Sequence, residues 1–135
     1  DDRTGEGLMA IYGVGIDLIR VDRLQASLAR WGERFETRVF TEGESRTCDG
    51  RRHRASCLAM RFAAKEAFVK ALGTGMRSPV TWRDIEVSHS ALGKPVIVLS
   101  ERAEEFCGKL GVRSWHVSLT DDGDYGAAVV VLETD

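Results

Sequence analysis

The stretch MRFAAKEAFVKALGTG, residues 60–75, decides the fold because it predicts one long helix near the centre of the chain. Its alanine, leucine, methionine, lysine and glutamate residues favour helix, and similar residues continue back to about Ala55. Gly73 supplies a natural stop, so the predicted helix covers residues 55–72. The buried stripe of this helix, at helical spacing, consists of Leu58, Phe62, Val69 and Leu72.

Before this helix, the sequence predicts a strand, a short helix and a polar connection. The β-branched and aromatic residues of AIYGVGIDLI, residues 10–19, favour a strand. VDRLQASLARWGERF, residues 21–35, predicts a short amphipathic helix with an exposed side that carries Arg23 and Arg30. The polar TEGESRTCDGRRHR, residues 41–54, predicts either a mobile connection or a short helix with a loop, and its basic run is typical of a solvated face.

After the long helix, the chain predicts two hairpins and one more helix. DIEVSH and VIVLS flank a turn and form the first hairpin, and ERAEEFCGKLGV then favours a helix. SWHVSLT and YGAAVVVLE form the second hairpin around the turn DDGD. Because helices and hairpins are mixed rather than strictly alternating, we expect an α+β fold with an antiparallel sheet packed with the long central helix.

The first strand has two unlike faces. Alternation places Tyr12, Val14, Ile16 and Leu18 on one face, and Ile11, Gly13, Gly15 and Asp17 on the other. The glycines leave open space beside the carboxylate of Asp17. This pattern has two interpretations, which are close approach by a ligand or another backbone, and a β-bulge followed by a helix-capping aspartate.

Length and composition predict one domain over residues 9–135, because 135 residues with 43% apolar content can form a compact core. Residues 1–8 are polar and patternless and are interpreted as a tag or a disordered tail.

The formal net charge of −2 gives no reason to expect nucleic-acid or membrane binding. No apolar run is long enough to span a bilayer and no leader precedes the fold, so we expect a soluble, cytoplasmic protein.

The three cysteines, Cys48, Cys57 and Cys107, have neither CxxC pairing nor zinc-ligand spacing. We therefore expect no disulfide framework and no metal cage. A reducing compartment fits this expectation.

The charged residues of the long helix allow two interpretations. Phe62, Glu66 and Lys70 stack along one face, with Arg61 and Lys65 in a neighbouring row. One interpretation is a surface ion pair between Glu66 and Lys70, worth about 0.3–0.5 kcal/mol. The other follows from the alanines and the phenylalanine that flank Glu66, because a carboxylate in apolar surroundings needs a partner or a metal.

Magnesium would answer that need, with Asp17 as the second carboxylate. Cationic side chains next to such a metal, followed by a Gly-Thr-Gly loop that an anion can approach closely, describe a site for a pyrophosphate. Each of these features is weak when taken alone.

The two segments GVGIDLIRVDRL and RFAAKEAFVKALGTG together resemble the signature motifs of the bacterial holo-acyl-carrier-protein synthases, a branch of the 4'-phosphopantetheinyl transferases. The similarity runs from Met9 to the end and includes DIEV, GKPVI and HVSLT in order. The resemblance implies a cytosolic, Mg²⁺-dependent enzyme that moves 4'-phosphopantetheine from coenzyme A to a serine of apo acyl carrier protein and releases adenosine 3',5'-bisphosphate. It also implies the fold of that family and a homotrimer with active sites between subunits.

The resemblance assigns roles to individual residues. Asp17 and Glu66 match the magnesium ligands, and Lys70 matches a phosphate-contacting lysine, so these three form the predicted catalytic set. Arg23 matches a basic position that engages the acidic carrier protein. The residues predicted to contact coenzyme A, besides Lys70, are Arg61, Lys65, Gly73, Thr74, Gly75 and His116.

The chain departs from the common pattern of these relatives at two positions. Arg20 stands where many relatives have a glutamate, and it adds a positive charge that can strengthen docking of the carrier protein. Asp121 replaces a histidine and puts in doubt any role for a second histidine. Neither departure removes a predicted metal ligand.

Several alternatives stay open. The base that takes the serine proton is either a metal-bound water or Glu66 itself. His116 is either a hydrogen-bonded structural histidine or a ligand contact. The chain as a whole could instead be a broader transferase for peptidyl or polyketide carriers, or a non-catalytic trimer that binds an acidic partner on its arginine-rich first helix. A single unit of this length favours the carrier synthases, because the broader enzymes resemble two fused units.

Overall fold

The computed structural model describes residues 10–134, and the predicted tail over residues 1–8 lies outside this part of the chain. Helices and strands alternate irregularly along the chain. In order they are β1 (Ile11–Arg20), α1 (Val21–Trp31), α2 (Glu33–Val39), α3 (Glu42–Asp49), α4 (Arg54–Leu72), a 3₁₀ turn (Trp82–Asp84), β2 (Ile85–His89), β3 (Pro95–Leu99), α5 (Glu101–Lys109), β4 (Val112–Asp121) and β5 (Tyr125–Thr134).

The long helix is confirmed as α4, and it ends where the sequence predicts. Gly73 adopts a left-handed conformation, with φ of 84°, and its N–H donates to the carbonyls of Lys70 and Val69. The predicted apolar stripe covers only part of its buried surface, because Ala59, Ala63 and Ala67 are also buried. Such small side chains allow the strands to approach α4 closely.

Two antiparallel sheets confirm the predicted α+β class. The larger sheet has the order β1-β5-β4, and β2 and β3 form a separate hairpin. Asp17 of β1 lies opposite Ala128 of β5, which lies opposite Leu119 of β4. Residues directly opposite each other share a face, so this row lies on the inner face of the sheet, where β1 and β5 pack on α4.

Gly13 and Gly15 allow the backbone of α4 to approach β1, which decides between the two interpretations of this strand. A Cβ atom on Gly13 would lie 2.0 Å from the carbonyl oxygen of Ala71, and one on Gly15 would lie 1.9 Å from that of Ala67. The register shift in β1 occurs earlier, between Ile11 and Gly13. Asp17 does not cap a helix, because the N-cap of α1 is Arg20.

We expect Gly15→Ala to lower the free energy of unfolding by about 3 kcal/mol or to prevent folding, because the added methyl group would overlap the backbone of α4. Gly50→Ala is the matched control, since its Cβ would meet only an ordinary contact at 3.7 Å from the Thr47 oxygen. Denaturant unfolding of both variants measures the difference. Equal stability of the two variants would contradict the close approach of β1 and α4.

The outer face of the larger sheet is apolar and exposed. Val14, Ile16 and Leu18 of β1 are 56%, 68% and 64% exposed, and Val131 and Val129 continue the patch on β5. A surface of this kind on a small protein marks a contact with another molecule.

Two local expectations need correction, and one open alternative is decided. A separate helix, α2, follows Gly32 and was not predicted. The segment from residue 41 contains a short helix, α3, which supports the second of its two interpretations. Contrary to expectation, Cys48 and Cys57 form a disulfide that joins the last turn of α3 to the first turn of α4, and Cys107 is free and buried.

Between residues 10 and 134, no helix is both long and apolar enough to cross a membrane.

Candidate active site

A cavity of about 260 Å³ brings together residues from β1, α1, α2 and α4. Asp17 reaches it from β1, Arg23 from α1 and Glu66 from α4. Phe35 and Phe62 give it an apolar wall. The structure therefore places both predicted metal ligands and the predicted carrier-binding arginine around one space.

Lys70 pairs with Asp17 and not with Glu66. Its Nζ donates to Asp17 Oδ1 at 2.9 Å and to the carbonyl of Ile16 at 3.0 Å. This arrangement does not support the simple surface pair between Glu66 and Lys70. Burial and the nearby negative charge of Asp17 raise the pKa of Glu66, while Lys70 opposes the shift.

The two carboxylates fit a divalent cation. Burial, and then the negative charge of Asp17, raise the pKa of Glu66, and a cation between the two carboxylates would stabilise the ionised form of Glu66. Mg²⁺ is commonly held by one or two carboxylates together with substrate phosphates and water. Among residues 10–134, no group of three or more histidine, cysteine, aspartate or glutamate side chains could hold a metal ion.

Lys65 does not face this cavity. Its side chain is fully buried, and its Nζ donates to Glu44 Oε1 at 2.7 Å, to the carbonyl of Val39 at 2.7 Å and to that of Trp82 at 2.9 Å. All three ammonium protons are thus used inside the protein. Burial lowers the pKa of Lys65, and Glu44 offsets part of that effect. In this structure Lys65 joins α4 to α2, α3 and the 3₁₀ turn, and it does not meet the expectation of a phosphate contact.

Arg61 is also buried, at 1% exposure. Its Nη1 donates to the carbonyl of Cys57 at 3.1 Å and contacts the sulfur of the same residue at 3.2 Å. Within the described part of the chain, its Nε and Nη2 have no hydrogen-bond acceptor. The expected contact with a nucleotide is therefore not available in this conformation.

The Gly73–Gly75 loop lies at the far end of α4. Gly73 and Gly75 have positive φ angles of 84° and 73°, and the Thr74 hydroxyl donates to the Gly75 carbonyl at 2.9 Å. Seven residues of helix separate Gly73 from Glu66, which corresponds to roughly 10 Å along the axis. The loop is thus outside the cavity that holds Asp17 and Glu66.

His116 lies on the opposite face of the sheet from Asp17. It is directly opposite Val131, which is opposite Val14, so all three belong to the apolar outer face. Its Nε2 lies 2.7 Å from Glu133 Oε1. Within one chain, the sheet therefore separates His116 from the cavity.

A second, larger cavity of about 790 Å³ was not predicted as a site. It is lined by Arg20 and by the basic bend before α4, including Arg52, His53 and Arg54, with Asp22 and Asp124 as acidic neighbours. Arg20 also pairs with Asp22 at 2.9 Å. The basic run itself was the available signal, but a run of charges is usually a solvated face, and sequence alone does not show that it bounds a cavity.

An α+β fold that brings two carboxylates to one cavity beside lysine and arginine side chains is an arrangement that fits a phosphate-bearing substrate. The family model of the 4'-phosphopantetheinyl transferase superfamily matches residues 13–130. The chain therefore belongs to that superfamily, which confirms the identification made from its two motifs and the expectation of a transferase.

Individual relatives show which members of the superfamily this chain is similar to. The holo-[acyl-carrier-protein] synthase of Trichlorobacter lovleyi is 46% identical over 123 residues, which cover 91% of this chain and 98% of the relative. The crystal structure of holo-[acyl-carrier-protein] synthase from Neisseria meningitidis matches with a TM-score of 0.87 at 35% identity, over 91% of this chain and 98% of that one. The Helicobacter pylori enzyme, solved in complex with coenzyme A, matches with a TM-score of 0.78 at 30% identity, over 88% and 98% of the two chains.

Proposed function

We propose that this protein is a holo-[acyl-carrier-protein] synthase. It transfers 4'-phosphopantetheine from coenzyme A to a serine of apo acyl carrier protein and releases adenosine 3',5'-bisphosphate, and we place this reaction in the cytoplasm. The observation that supports the proposal most directly is the convergence of Asp17 and Glu66 on one cavity beside Lys70. Relatives of this name cover nearly the whole chain.

Asp17 and Glu66 would hold Mg²⁺, which when bound supplies charge neutralisation at the pyrophosphate of coenzyme A. Lys70 is held by Asp17 and by the Ile16 carbonyl, so its positive charge is fixed in direction. Phosphoryl transfer depends mainly on such fixed charges. Glu66 lines the same cavity and is the carboxylate placed to accept the serine proton.

Basic residues supply the surfaces for the two substrates. Arg23 lies at the rim of the first cavity, on the basic helix α1, where an acidic carrier protein would present its serine. The larger cavity offers the positive charge of Arg52 for the phosphates of coenzyme A, whereas Arg54 is paired with Asp49 and Glu36. Arg20 remains a proposed contact for the carrier protein.

We also propose a homotrimer with active sites between subunits. The apolar outer face around Val14, Ile16 and Leu18 is exposed in a single chain, and contact with the same apolar face of a second copy would bury it. His116 belongs to that face and not to the cavity of its own chain. An assembly through this face would bring His116 of one copy toward the bound coenzyme A of its neighbour.

Mixed assemblies test this arrangement. Glu66→Gln and His116→Ala subunits, refolded together, are expected to transfer faster than the average of the two separate variants. Some shared sites then combine an intact Glu66 from one subunit with an intact His116 from its neighbour. The transfer rate is compared with that of the two variants assembled separately and then combined. A co-refolded mixture no more active than that control would contradict sites shared between subunits.

The proposed reaction is tested by incubating the protein with apo acyl carrier protein, coenzyme A and Mg²⁺. Intact-mass spectrometry is expected to show the carrier gaining one phosphopantetheine group, and a chelator is expected to stop the gain. A peptidyl carrier in a parallel incubation separates a carrier-specific enzyme from a broader one. Binding of the carrier without any mass gain would favour the non-catalytic module and overturn the proposal.

The raised pKa of Glu66 predicts a pH dependence of the metal-free protein. The folded state keeps the Glu66 proton to higher pH than the unfolded state does, where a glutamate titrates near about 4.3. Because the folded state binds more protons in this window, the free energy of unfolding should fall as pH rises through the Glu66 pKa. Denaturant unfolding of wild type and Glu66→Gln across this range measures the difference, and parallel curves would contradict the assigned shift.

A further inference from the structure

The disulfide between Cys48 and Cys57 closes a short, strongly basic bend. The two cysteines are nine positions apart, and the residues between them include Arg51, Arg52, His53 and Arg54. Like charges crowded into one bend repel each other, so the bond acts against that repulsion. It fixes the end of α3 to the start of α4.

The bend is also a wall of the larger cavity. Five consecutive residues, Arg52 to Ser56, line that cavity, and Cys57 follows directly. Arg54 connects the wall to its surroundings through Asp49 Oδ1 at 2.6 Å and through an ion pair with Glu36. Whether the two cysteines are oxidised or reduced therefore affects the shape and the charge distribution of this cavity.

Arg61 gives Cys57 a chemical environment that Cys107 lacks. The Arg61 guanidinium touches the Cys57 sulfur at 3.2 Å, and within the described residues two of its three nitrogens have no acceptor. The charge of Glu44 stabilises the Arg61 cation, but Glu44 is already bonded to Lys65, and a thiolate on Cys57 would be a second anion in direct contact with the guanidinium. A neighbouring cation also favours the thiolate form of cysteine, which is the nucleophile in thiol–disulfide exchange.

Cys107 supplies the contrast. It is buried in the core on α5, where burial and the charge of Glu104 raise the pKa of its thiol to about 11. Cys57 and Cys48 are also buried, at 2% and 0% exposure, so the contrast between the thiols lies in the Arg61 cation beside Cys57 and not in burial.

We propose that Cys48 and Cys57 form a reversible thiol–disulfide pair, with Cys57 as the reactive thiolate held by Arg61, and that the closed bond keeps the basic bend in its coenzyme A-binding form. The second part rests on the proposed function. The oxidant is a small-molecule disulfide such as glutathione disulfide.

The exchange is balanced as two successive steps. The Cys57 thiolate attacks one sulfur of the small disulfide, whose S–S bond breaks and releases one thiolate. The Cys48 thiol then loses its proton and attacks the Cys57 sulfur of the mixed disulfide, which releases the second small thiol. Two protein thiols are oxidised, and one small disulfide is reduced to two thiols.

The bond itself is tested by equilibrating the protein in glutathione buffers of graded ratio, alkylating the free thiols and measuring intact mass. We expect one dithiol to titrate as a unit in wild type and in Cys107→Ala, and no two-thiol step in Cys48→Ser or Cys57→Ser. In the reduced protein, Cys57 should be alkylated faster than Cys107. Arg61→Gln should slow that alkylation, and Arg61→Lys should restore part of it.

Failure of the bond to form in oxidised buffer, or alkylation of Cys57 no faster than that of Cys107, would overturn the proposal. An alkylation rate of Cys57 unchanged in Arg61→Gln would overturn the role of Arg61.

The consequence is tested by titrating oxidised and reduced protein with coenzyme A in a calorimeter. If the bend is ordered only roughly 10–30% of the time after reduction, the dissociation constant should rise about three- to tenfold. Hydrogen exchange at residues 49–56 should also be faster in the reduced protein, and Cys107→Ala should behave as wild type in both measurements. Equal affinities in the two states would overturn the link to coenzyme A.

The redox titration and the hydrogen exchange need no transfer reaction, so they separate this proposal from the proposed function. A protein that titrates as expected but transfers nothing in either state would refute the transferase and leave the thiol pair standing.

Discussion

Replacing Glu66 by glutamine is expected to reduce kcat/KM for phosphopantetheine transfer by about 10²–10³-fold, the size of effect seen when one group that stabilises transition-state charge is removed. Glutamine keeps the shape of the side chain but removes the charge that would hold Mg²⁺ and the base that would accept the serine proton. Transfer rates at saturating Mg²⁺ measure the effect. We expect the variant to fold normally, because the raised pKa shows that the ionised form is unfavourable in the folded protein.

Glu105→Gln is the matched control, because it removes an exposed carboxylate that lies 4.0 Å from Lys109 on the surface of α5. That variant should keep the wild-type rate. Asp17→Asn should behave like Glu66→Gln, since both carboxylates are assigned to one cation. Near-normal transfer by either Asp17→Asn or Glu66→Gln, still dependent on Mg²⁺, would contradict the assignment.

Replacing Lys65 by methionine is expected to lower the free energy of unfolding by about 3–5 kcal/mol, the cost of breaking a buried ion pair by removing one partner. The change leaves the buried carboxylate of Glu44 without its cation and removes a donor from the carbonyls of Val39 and Trp82, of which Trp82 keeps the Ile85 N–H. Denaturant unfolding at a fixed protomer concentration measures the loss, because assembly would make stability depend on concentration.

Two further variants, a surface control and a double variant, test this expectation. Lys109→Met removes an exposed lysine and should change stability by less than about 0.5 kcal/mol. Lys65→Met combined with Glu44→Gln should recover part of the loss, because the unpaired buried charge is gone. If Lys65→Met kept its stability and lost affinity for coenzyme A, the original expectation of a phosphate contact would be right and the interior role wrong.

The sequence predicts the elements best where propensity and spacing agree. The helix over residues 54–72 and both hairpins follow from long, consistent patterns. The separate helix α2 was missed because the apolar spacing continues across Gly32, whose positive φ of 57° turns the chain. Such a turn depends on how α1 and α2 pack against α4, and spacing along one segment does not report it.

The candidate site was predicted only in part, because spacing along one segment does not show what packs against it. Glycines beside Asp17 and alanines around Glu66 carried information about close packing and burial, and the structure brings these two residues to one cavity. Lys65 and Arg61 were misplaced because helical spacing gives the direction of a side chain around α4 but not what packs on that side. The disulfide was missed because its pairing depends on the distance between α3 and α4, which cysteine spacing alone does not give.

The central claim is that Asp17 and Glu66 bind one divalent cation between them. Crystals of the protein with coenzyme A and Mn²⁺, used as an anomalous scatterer in place of Mg²⁺, test it most directly. We predict one anomalous peak per chain within about 2.0–2.3 Å of a carboxylate oxygen from each residue, with the remaining positions filled by phosphate oxygen and water. A peak coordinated by only one of the two carboxylates, or a coenzyme A complex with no cation between them, would contradict the account.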